Sequence, residues 1–386
     1  MRELHIVENG AVLIEDGIIR AAGSTNEIPQ PNTIDVLDAD GRIALPGFVD
    51  SHTHLVFAGS REDEFAMRAE GKSYREIAAS GGGILSTMAA TRAATKKELL
   101  HVAERRITEM LKHGTTTIEI KSGYGLSLES EAKILDVISI LRRDSLATII
   151  PTFLGAHAFQ TEFNNDKQHY VDLIIARMLP YIGERTLATF CDVFCDEGYF
   201  DLHQTENILL EAKRYGLIPK LHADQLASIG ATKLGAELNA ASVDHLEHLT
   251  SDGIEALKKS SSVATVLPGA SFFLQEPYAP ARSIIEAGIP LAIATDFNPG
   301  STMCFSMPMM MTIACTQMNM TPEEAITAAT LNGAAALGLS GELGSIEAGK
   351  QADIVLYDVP QYRFLPYHYA FNHVWRVVKN GTVLEF

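Results

Sequence analysis

The run Gly47-Phe-Val-Asp50-Ser51-His52-Thr53-His54 carries the sharpest chemical signal in the chain. An apolar lead into His-x-His sets both imidazoles on one face of a strand, because strand side chains alternate with period two. Two neutral imidazoles side by side form half of a metal site. Alone, the pair fits two unrelated surface histidines equally well. Later residues in the same setting tip the balance: His157 in Leu154-Gly-Ala-His157, His222 in Lys220-Leu-His222, His245 in Val243-Asp-His245, and Asp296 in Ala292-Ile-Ala-Thr-Asp296. Each ends an apolar run and precedes a loop. One such residue is ordinarily a satisfied structural group, but several together are hard to explain as packing. His101, His113 and His203 fall in helical or loop contexts and read as surface.

These residues need elements that end at a common rim. Apolar runs recur at 115–120, 147–150, 193–194, 219–221, 242–243, 263–267 and 290–294, and read as buried strands. Helical patterns lie between them. Leu128 to Arg143 has Glu129 and Glu131 in its first turn and Arg142 and Arg143 in its last, matching the helix dipole. Thr321-Pro-Glu-Glu324 is a capping box with proline at the first helical position, predicting a helix through Leu337. Strand–helix alternation over 45–346 predicts an α/β fold, a (β/α)₈ TIM-like barrel whose strand ends converge on one rim. An open doubly wound sheet is the weaker alternative, since no G-x-G-x-x-G follows an early strand. Residues 1–44 and 347–386 read differently, as short strands broken by Asn9-Gly10, Asp16-Gly17 and Asn380-Gly381. They predict one small β-sandwich domain formed by both termini.

Composition narrows the function. Hydrophobic residues make up 46% of 386 and charged residues 20%, enough apolar content for a large core. The charge balance, 31 − 48 = −17, argues against a nucleic-acid or anionic-membrane partner, both of which need a cationic footprint. An anionic small substrate would need its own local Arg or Lys. Acids stand where a signal peptide would have its apolar core, and the uncharged stretch 297–322 is interrupted by Pro299 and Pro308. A cytoplasmic, membrane-free protein is expected. Cys191 and Cys195 lack a second pair to complete a metal site and read as buried, reduced residues. Gly81-Gly-Gly83 lacks the Lys-Ser/Thr of a phosphate loop and reads as a flexible loop near the substrate; Met307-Pro-Met-Met-Met311 reads as core.

LPGFVDSHTH, the strand-end His222, His245 and Asp296, and Gly349-Lys-Gln-Ala-Asp-Ile-Val355 together resemble the amidohydrolase superfamily over essentially the whole chain. Five longer strings resemble one family within it, the imidazolonepropionases. They are His54-Leu-Val-Phe-Ala-Gly-Ser-Arg61, Ser80-Gly-Gly-Gly-Ile84, Glu119-Ile-Lys-Ser-Gly-Tyr-Gly125, Leu154-Gly-Ala-His157 and Thr295-Asp-Phe-Asn-Pro-Gly-Ser301. The generic motifs would not choose among amidohydrolases; the five strings do.

The resemblance implies one Zn²⁺ or Fe³⁺ per chain, held by His52, His54, His222 and Asp296. Three imidazoles and a carboxylate suit either metal. It implies that a metal-activated water opens the ring of 4-imidazolone-5-propanoate, giving N-formimidoyl-L-glutamate in histidine degradation. Arg61, Tyr124 and His157 would contact the substrate, with Asn298, Gly300 and Ser301 lining the site. Arg61 suits the propanoate because guanidinium binds carboxylate bidentately. Relatives with two metals bridge them with a carbamylated strand-end lysine; here one metal is implied, so Lys121 reads as a hydrogen-bonding or structural residue. Some family members carry glutamate three residues after the His222-type ligand, where this chain has Gln225. An amide orients a ring but takes no proton at neutral pH. Base duty then falls on Asp296 or His245, with His245 also able to stabilise a developing oxyanion. The family further implies a homodimer. Another mononuclear amidohydrolase, either a cyclic amide hydrolase or a heterocycle deaminase, and an inactive metal-binding scaffold are the alternatives.

Overall fold

The computed structural model describes residues 1, 3–29, 35–72, 76, 82–163 and 165–386. Strands β1 (Gly10–Glu15) and β2 (Ile18–Ser24) form a hairpin whose turn, Asp16-Gly17, has both residues at positive φ, 53° and 77°. Asp-Gly is one of the few dipeptides that accept this geometry at low cost. A second, four-stranded antiparallel sheet joins the two ends of the chain. Strand β3 (Ile43–Pro46) pairs with β12 (Ile354–Tyr357), which pairs with β13 (Val374–Lys379) and, through it, β14 (Thr382–Val383). Ile19 from the hairpin and Ile354, Leu356 and Val378 from the sheet share a small apolar core.

Eight parallel strands form the barrel. In chain order they are β4 (Phe48–Asp50), β5 (Thr115–Lys121), β6 (Thr148–Ala156), β7 (Phe190–Cys195), β8 (Ile218–Ala223), β9 (Ser242–His245), β10 (Val263–Val266) and β11 (Leu291–Ile293). Each pairs with the next, as right-handed β/α crossovers require. Residues 52–54, beyond β4, close the ring: Asp296 N–H donates to His52 O and His54 N–H to Phe297 O, at 3.0 and 3.1 Å. On the other side Lys121 N–H donates to Thr53 O, at 2.9 Å. Closure is therefore made by the His-x-His segment itself. Gly47 lets that segment start close to its neighbour, since a Cβ there would stand 2.2 Å from Thr116 Oγ1.

The helix Leu128–Asp144 matches its sequence expectation, with Ser127 as its cap. The helix expected from Thr321 to Leu337 is instead two helices, Pro322–Ala329 and Leu331–Ala336. Thr330 breaks it at φ −124°, ψ −90°, and Asn332 Nδ2 donates to Leu291 O at 2.7 Å, docking the second helix on β11. A tertiary hydrogen bond outweighs helical propensity there. Met307, Met310 and Met311 are buried core, as expected, and Cys191 and Cys195 are free and buried. Burial pushes the Cys195 thiol up to about 12, so it is a poor ligand. His101 and His203 are exposed, whereas His113 is half-buried against Phe305. Ser80 and Gly81 of the glycine loop lie outside the described residues. No described helix is long and apolar enough to cross a membrane.

Candidate metal centre

The His-x-His segment delivers what alternation predicts. His52 and His54 are both buried, their ring centroids 5.4 Å apart, and His222 from the end of β8 stands 4.5 Å from His52 and 5.5 Å from His54. Asp296, three residues past the end of the barrel strand β11 and directly after Thr295, sends Oδ1 to 3.5 Å from Nε2 of both His52 and His54. Three overlapping triads have ligand atoms within 4.8 Å of one another: His52/His222/His245, His54/His157/His222 and His52/His54/Asp296. Every pair among His52, His54, His222 and Asp296 except His222 and Asp296 shares a triad. Asp296 and His245 sit at φ 52° and 83°, left-handed conformations that cost about 1–3 kcal/mol each and gather at functional sites.

The test of whether a metal fits is the second nitrogen of each ring. His52 Nδ1 donates to Asp244 Oδ2 at 2.7 Å, and His222 Nδ1 to Asp192 Oδ1 at 3.1 Å. A proton held on Nδ1 leaves a lone pair on Nε2. Nε2 of both rings is buried without a hydrogen-bond partner among the described residues, as is Nδ1 of His54. Burial, reinforced by Lys121 for His52 and by His157 for His54, holds both imidazoles well below the usual histidine range, so they are neutral donors. Burial also raises the Asp296 carboxyl to about 6, against the pull of His245 and His222. A cation beside it would reverse that rise. This donor set fits a zinc or iron ion.

Beneath the histidines lies a layer of buried charge. Lys121 Nζ donates to Glu119 Oε1 and Asp192 Oδ2, both at 2.8 Å, and stands 3.8 Å from Asp244 Oδ2. Lys220 Nζ donates to Ser51 O at 2.9 Å and stands 3.7 Å from Asp244 Oδ2. Burial disfavours the Lys121 ammonium, but Asp192, Glu119 and Asp244 outweigh it and hold its pKa above the ordinary lysine value. Lys121 is thus a hydrogen-bonded counter-ion here. Asp192, although burial works against its charge, is held well below the usual carboxylate range by His222 and Lys121. Sequence reasoning assigned no role to Glu119, Asp192, Lys220 or Asp244. The available signal was charge at period two inside apolar strands: Glu119 with Lys121, and Lys220 with His222.

Around the rim, His245 Nδ1 faces Glu247 Oε1 at 3.4 Å. Burial disfavours its charged form, but Glu247, together with Asp296 and Asp244, outweighs burial and the imidazole pKa stands above its ordinary value. His157 stacks on His54 at 5.0 Å and donates Nδ1–H to Gly123 O at 3.0 Å; burial pushes it down to about 3. Tyr124 lies 5.7 Å from His54, its hydroxyl pushed up by burial and kept protonated. Asn298 is committed to its own loop. Its Nδ2 donates to Asp296 O at 2.7 Å, and its Oδ1 accepts from the N–H of Gly300 and Ser301, both at 2.8 Å. It shapes the turn after Asp296. Arg61 lies beside Gly300 with Nε and Nη2 on Glu64, at 2.9 and 2.6 Å. Gln225 follows β8 on a turn in which Asp196 accepts the N–H groups of Gln225, Leu226 and Ala227 at 2.8, 2.9 and 3.0 Å. Its half-buried amide makes no hydrogen bond to the histidine cluster among the described contacts.

The sequence model of the amidohydrolase family matches residues 205–384. An imidazolonepropionase of Geobacillus sp. is 47% identical over 100% of this chain and 92% of its own length. One of Clostridium tetani is 44% identical over the same shares, 100% and 92%. Among solved structures, a triazine hydrolase variant superposes with a TM-score of 0.77 at 18% identity, covering 98% of this chain and 90% of its own. An adenosine deaminase from Xanthomonas campestris with bound zinc does so at 0.66 and 19%, covering 98% and 88%. At such identities those two share the fold.

Proposed function

The chain belongs to the imidazolonepropionase family of amidohydrolases, and on that premise we propose that it opens the ring of 4-imidazolone-5-propanoate at one metal ion held by His52, His54, His222 and Asp296. It is a hydrolase of a cyclic amide, acting in histidine degradation. Water oxygen bonds to the ring carbonyl carbon, the carbonyl–nitrogen bond breaks, and the nitrogen takes a proton, giving N-formimidoyl-L-glutamate. The observation that carries the metal reading is the pair of buried Nε2 atoms of His52 and His222, without a hydrogen-bond partner among the described residues and each backed by a carboxylate on Nδ1.

A zinc or iron ion bound there supplies a Lewis acid and brings the pKa of a water toward neutrality. The chain's own residues do the rest. Asp192 and Asp244 fix the tautomers of His222 and His52. His245, with Glu247 behind Nδ1, holds or passes the proton that must reach the leaving nitrogen, and its raised pKa suits that task near neutral pH. Asp296 is the alternative acceptor, weakened by its duty as a ligand. Tyr124 and His157 wall the site beside His54, and Arg61 receives the propanoate. Gln225 orients the ring. Asn298, Gly300 and Ser301 line the site on the turn after Asp296.

The reading extends to a homodimer in the cytoplasm, and to two structural units, 1–44 with 347–386 and 45–346. Support for the dimer is the exposed aromatic group Tyr367, Tyr369 and Phe371. The decisive experiment is to incubate metal-replete protein with imidazolone propanoate and follow loss of its ultraviolet absorbance, with hydantoin, dihydroorotate and guanine as controls. Turnover of the imidazolone alone is expected, and His222→Ala should lose metal and activity together while still folding. Preference for guanine would make the chain a deaminase.

A further inference from the structure

Arg61, the group assigned to the substrate carboxylate, already holds one carboxylate. Glu64, one turn along the helix Glu62–Ala69, takes the Nε–Nη2 edge of its guanidinium in a two-point contact at 2.9 and 2.6 Å. An exposed pair at this spacing adds a few tenths of a kcal/mol to a helix and little else. This pair is not exposed: 12% of the Arg61 side chain and 9% of the Glu64 side chain reach solvent. Glu64 Oε1 also accepts the N–H of Gly83 at 2.9 Å, so one carboxylate ties the helix to the start of the helix Ile84–Ala93.

A bidentate contact fixes the guanidinium plane, and with it the direction of the edge left over. That edge is Nη1 with the outer proton of Nη2. Nη1 lies against Gly300, four residues beyond Asp296, where a Cβ would stand 2.2 Å away. Only glycine leaves that slot open. Gly300 in turn is held by Asn298 through its N–H at 2.8 Å. Arg68, on the same helix face as Arg61 and Glu64, points both terminal nitrogens at Gly300 O, at 3.3 and 3.4 Å, and its Nε is buried without a hydrogen-bond partner among the described residues. The three side chains carry +1 +1 −1 = +1. One more carboxylate neutralises the group, in a chain whose net charge is −17.

We infer that Glu64 is a positioning residue for substrate specificity: it clamps Arg61 so that the Nη1 edge, in the slot at Gly300, receives the carboxylate of the substrate. Glu64 stays on Arg61 while the substrate binds, and the two carboxylates share one guanidinium by different edges. The inference rests on the assignment of Arg61 to the propanoate.

The test is steady-state kinetics of metal-loaded Glu64→Gln on two substrates, imidazolone propanoate and the imidazolone ring without its side chain, at matched metal content. The amide keeps an acceptor for Gly83 but turns an NH₂ group toward Arg61, so the clamp is lost. KM for the propanoate substrate should rise roughly 10- to 100-fold, the usual effect of a small misplacement, with kcat within about twofold. Values for the bare ring should not move. Gly300→Ala, which puts a methyl in the slot, should raise KM for the propanoate substrate more than for the bare ring, and decides the matter if Glu64→Gln does not fold. A KM for the propanoate substrate that is unchanged or lower in the folded variant overturns the inference, as does an equal loss on both substrates. Arg61→Ala, run in parallel, separates the two readings. If it abolishes the preference for the carboxylate while Glu64→Gln and Gly300→Ala do not, Arg61 is correctly assigned and Glu64 is not its positioner. If Arg61→Ala keeps the preference, both fall.

Discussion

Replacing Lys121 with methionine removes one buried positive charge at nearly constant volume. Its Nζ lies 2.8 Å from Glu119 Oε1 and from Asp192 Oδ2, with all three side chains fully buried. At an effective dielectric constant of 20, one such contact carries about 6 kcal/mol of attraction. That is an upper figure, because taking each ion out of water costs several kcal/mol. Truncation strands two buried carboxylates, and breaking a buried pair in this way costs about 3–5 kcal/mol. The damage should also reach the metal, because Asp192 holds His222 Nδ1 and Asp244, 3.8 Å from Nζ, holds His52 Nδ1. Loss of such an outer partner weakens metal binding about 10- to 100-fold. Two measurements follow: urea unfolding of metal-free Lys121→Met against parent, and competition of the folded proteins with a chelating dye. Lower stability and weaker binding, with one metal per chain in both, are expected. If elemental analysis of the parent gives two metals and Lys121→Met loses one without losing stability, Lys121 is a carbamylated bridge and the counter-ion argument is wrong.

His245→Asn should lower kcat by roughly 10²–10⁴, the range for a lost acid–base group, while atomic absorption shows unchanged metal. Gln225→Ala should mainly raise KM and Gln225→Glu should be tolerated; a dead Gln225→Ala at saturating substrate beside an active His245→Asn would reverse those roles. At the surface, the Glu323 carboxyl is held down to about 2: burial opposes its charge, but Tyr362 and Arg363 outweigh that with hydrogen bonds at 2.7 and 2.8 Å. A depressed carboxylate contributes stability that is present above its unfolded pKa and lost as pH falls through the folded one. Acid titration of unfolding should therefore show Glu323→Gln closing its gap to parent between pH 4.5 and 2, and a constant gap across that window would refute the link.

The sequence by itself determined which histidines and which aspartate end the strands, and the barrel that carries them. His52 and His54 share a face because alternation is a property of one strand, and His222, His245 and Asp296 end apolar runs that fold into strands wherever those strands go. The helix from Leu128 was equally legible, since its caps and terminal charges are local. Only the tertiary structure decided who stands behind those residues. That Asp244 on β9 reaches His52, and Asp192 on β7 reaches both His222 and Lys121, depends on the register and tilt of strands far apart in the chain. The break at Thr330 has the same origin, a docking contact on β11 that no helix propensity encodes. Arg61 shows the division within a single residue. Its guanidinium chemistry was readable from its type, but which edge is free depends on Glu64 one turn away and on a slot at Gly300, brought against it across a separation of 239 positions, 300 − 61. Local periodicity specifies the direction of a side chain relative to its own backbone; partners are set by long-range packing, which a linear pattern does not contain.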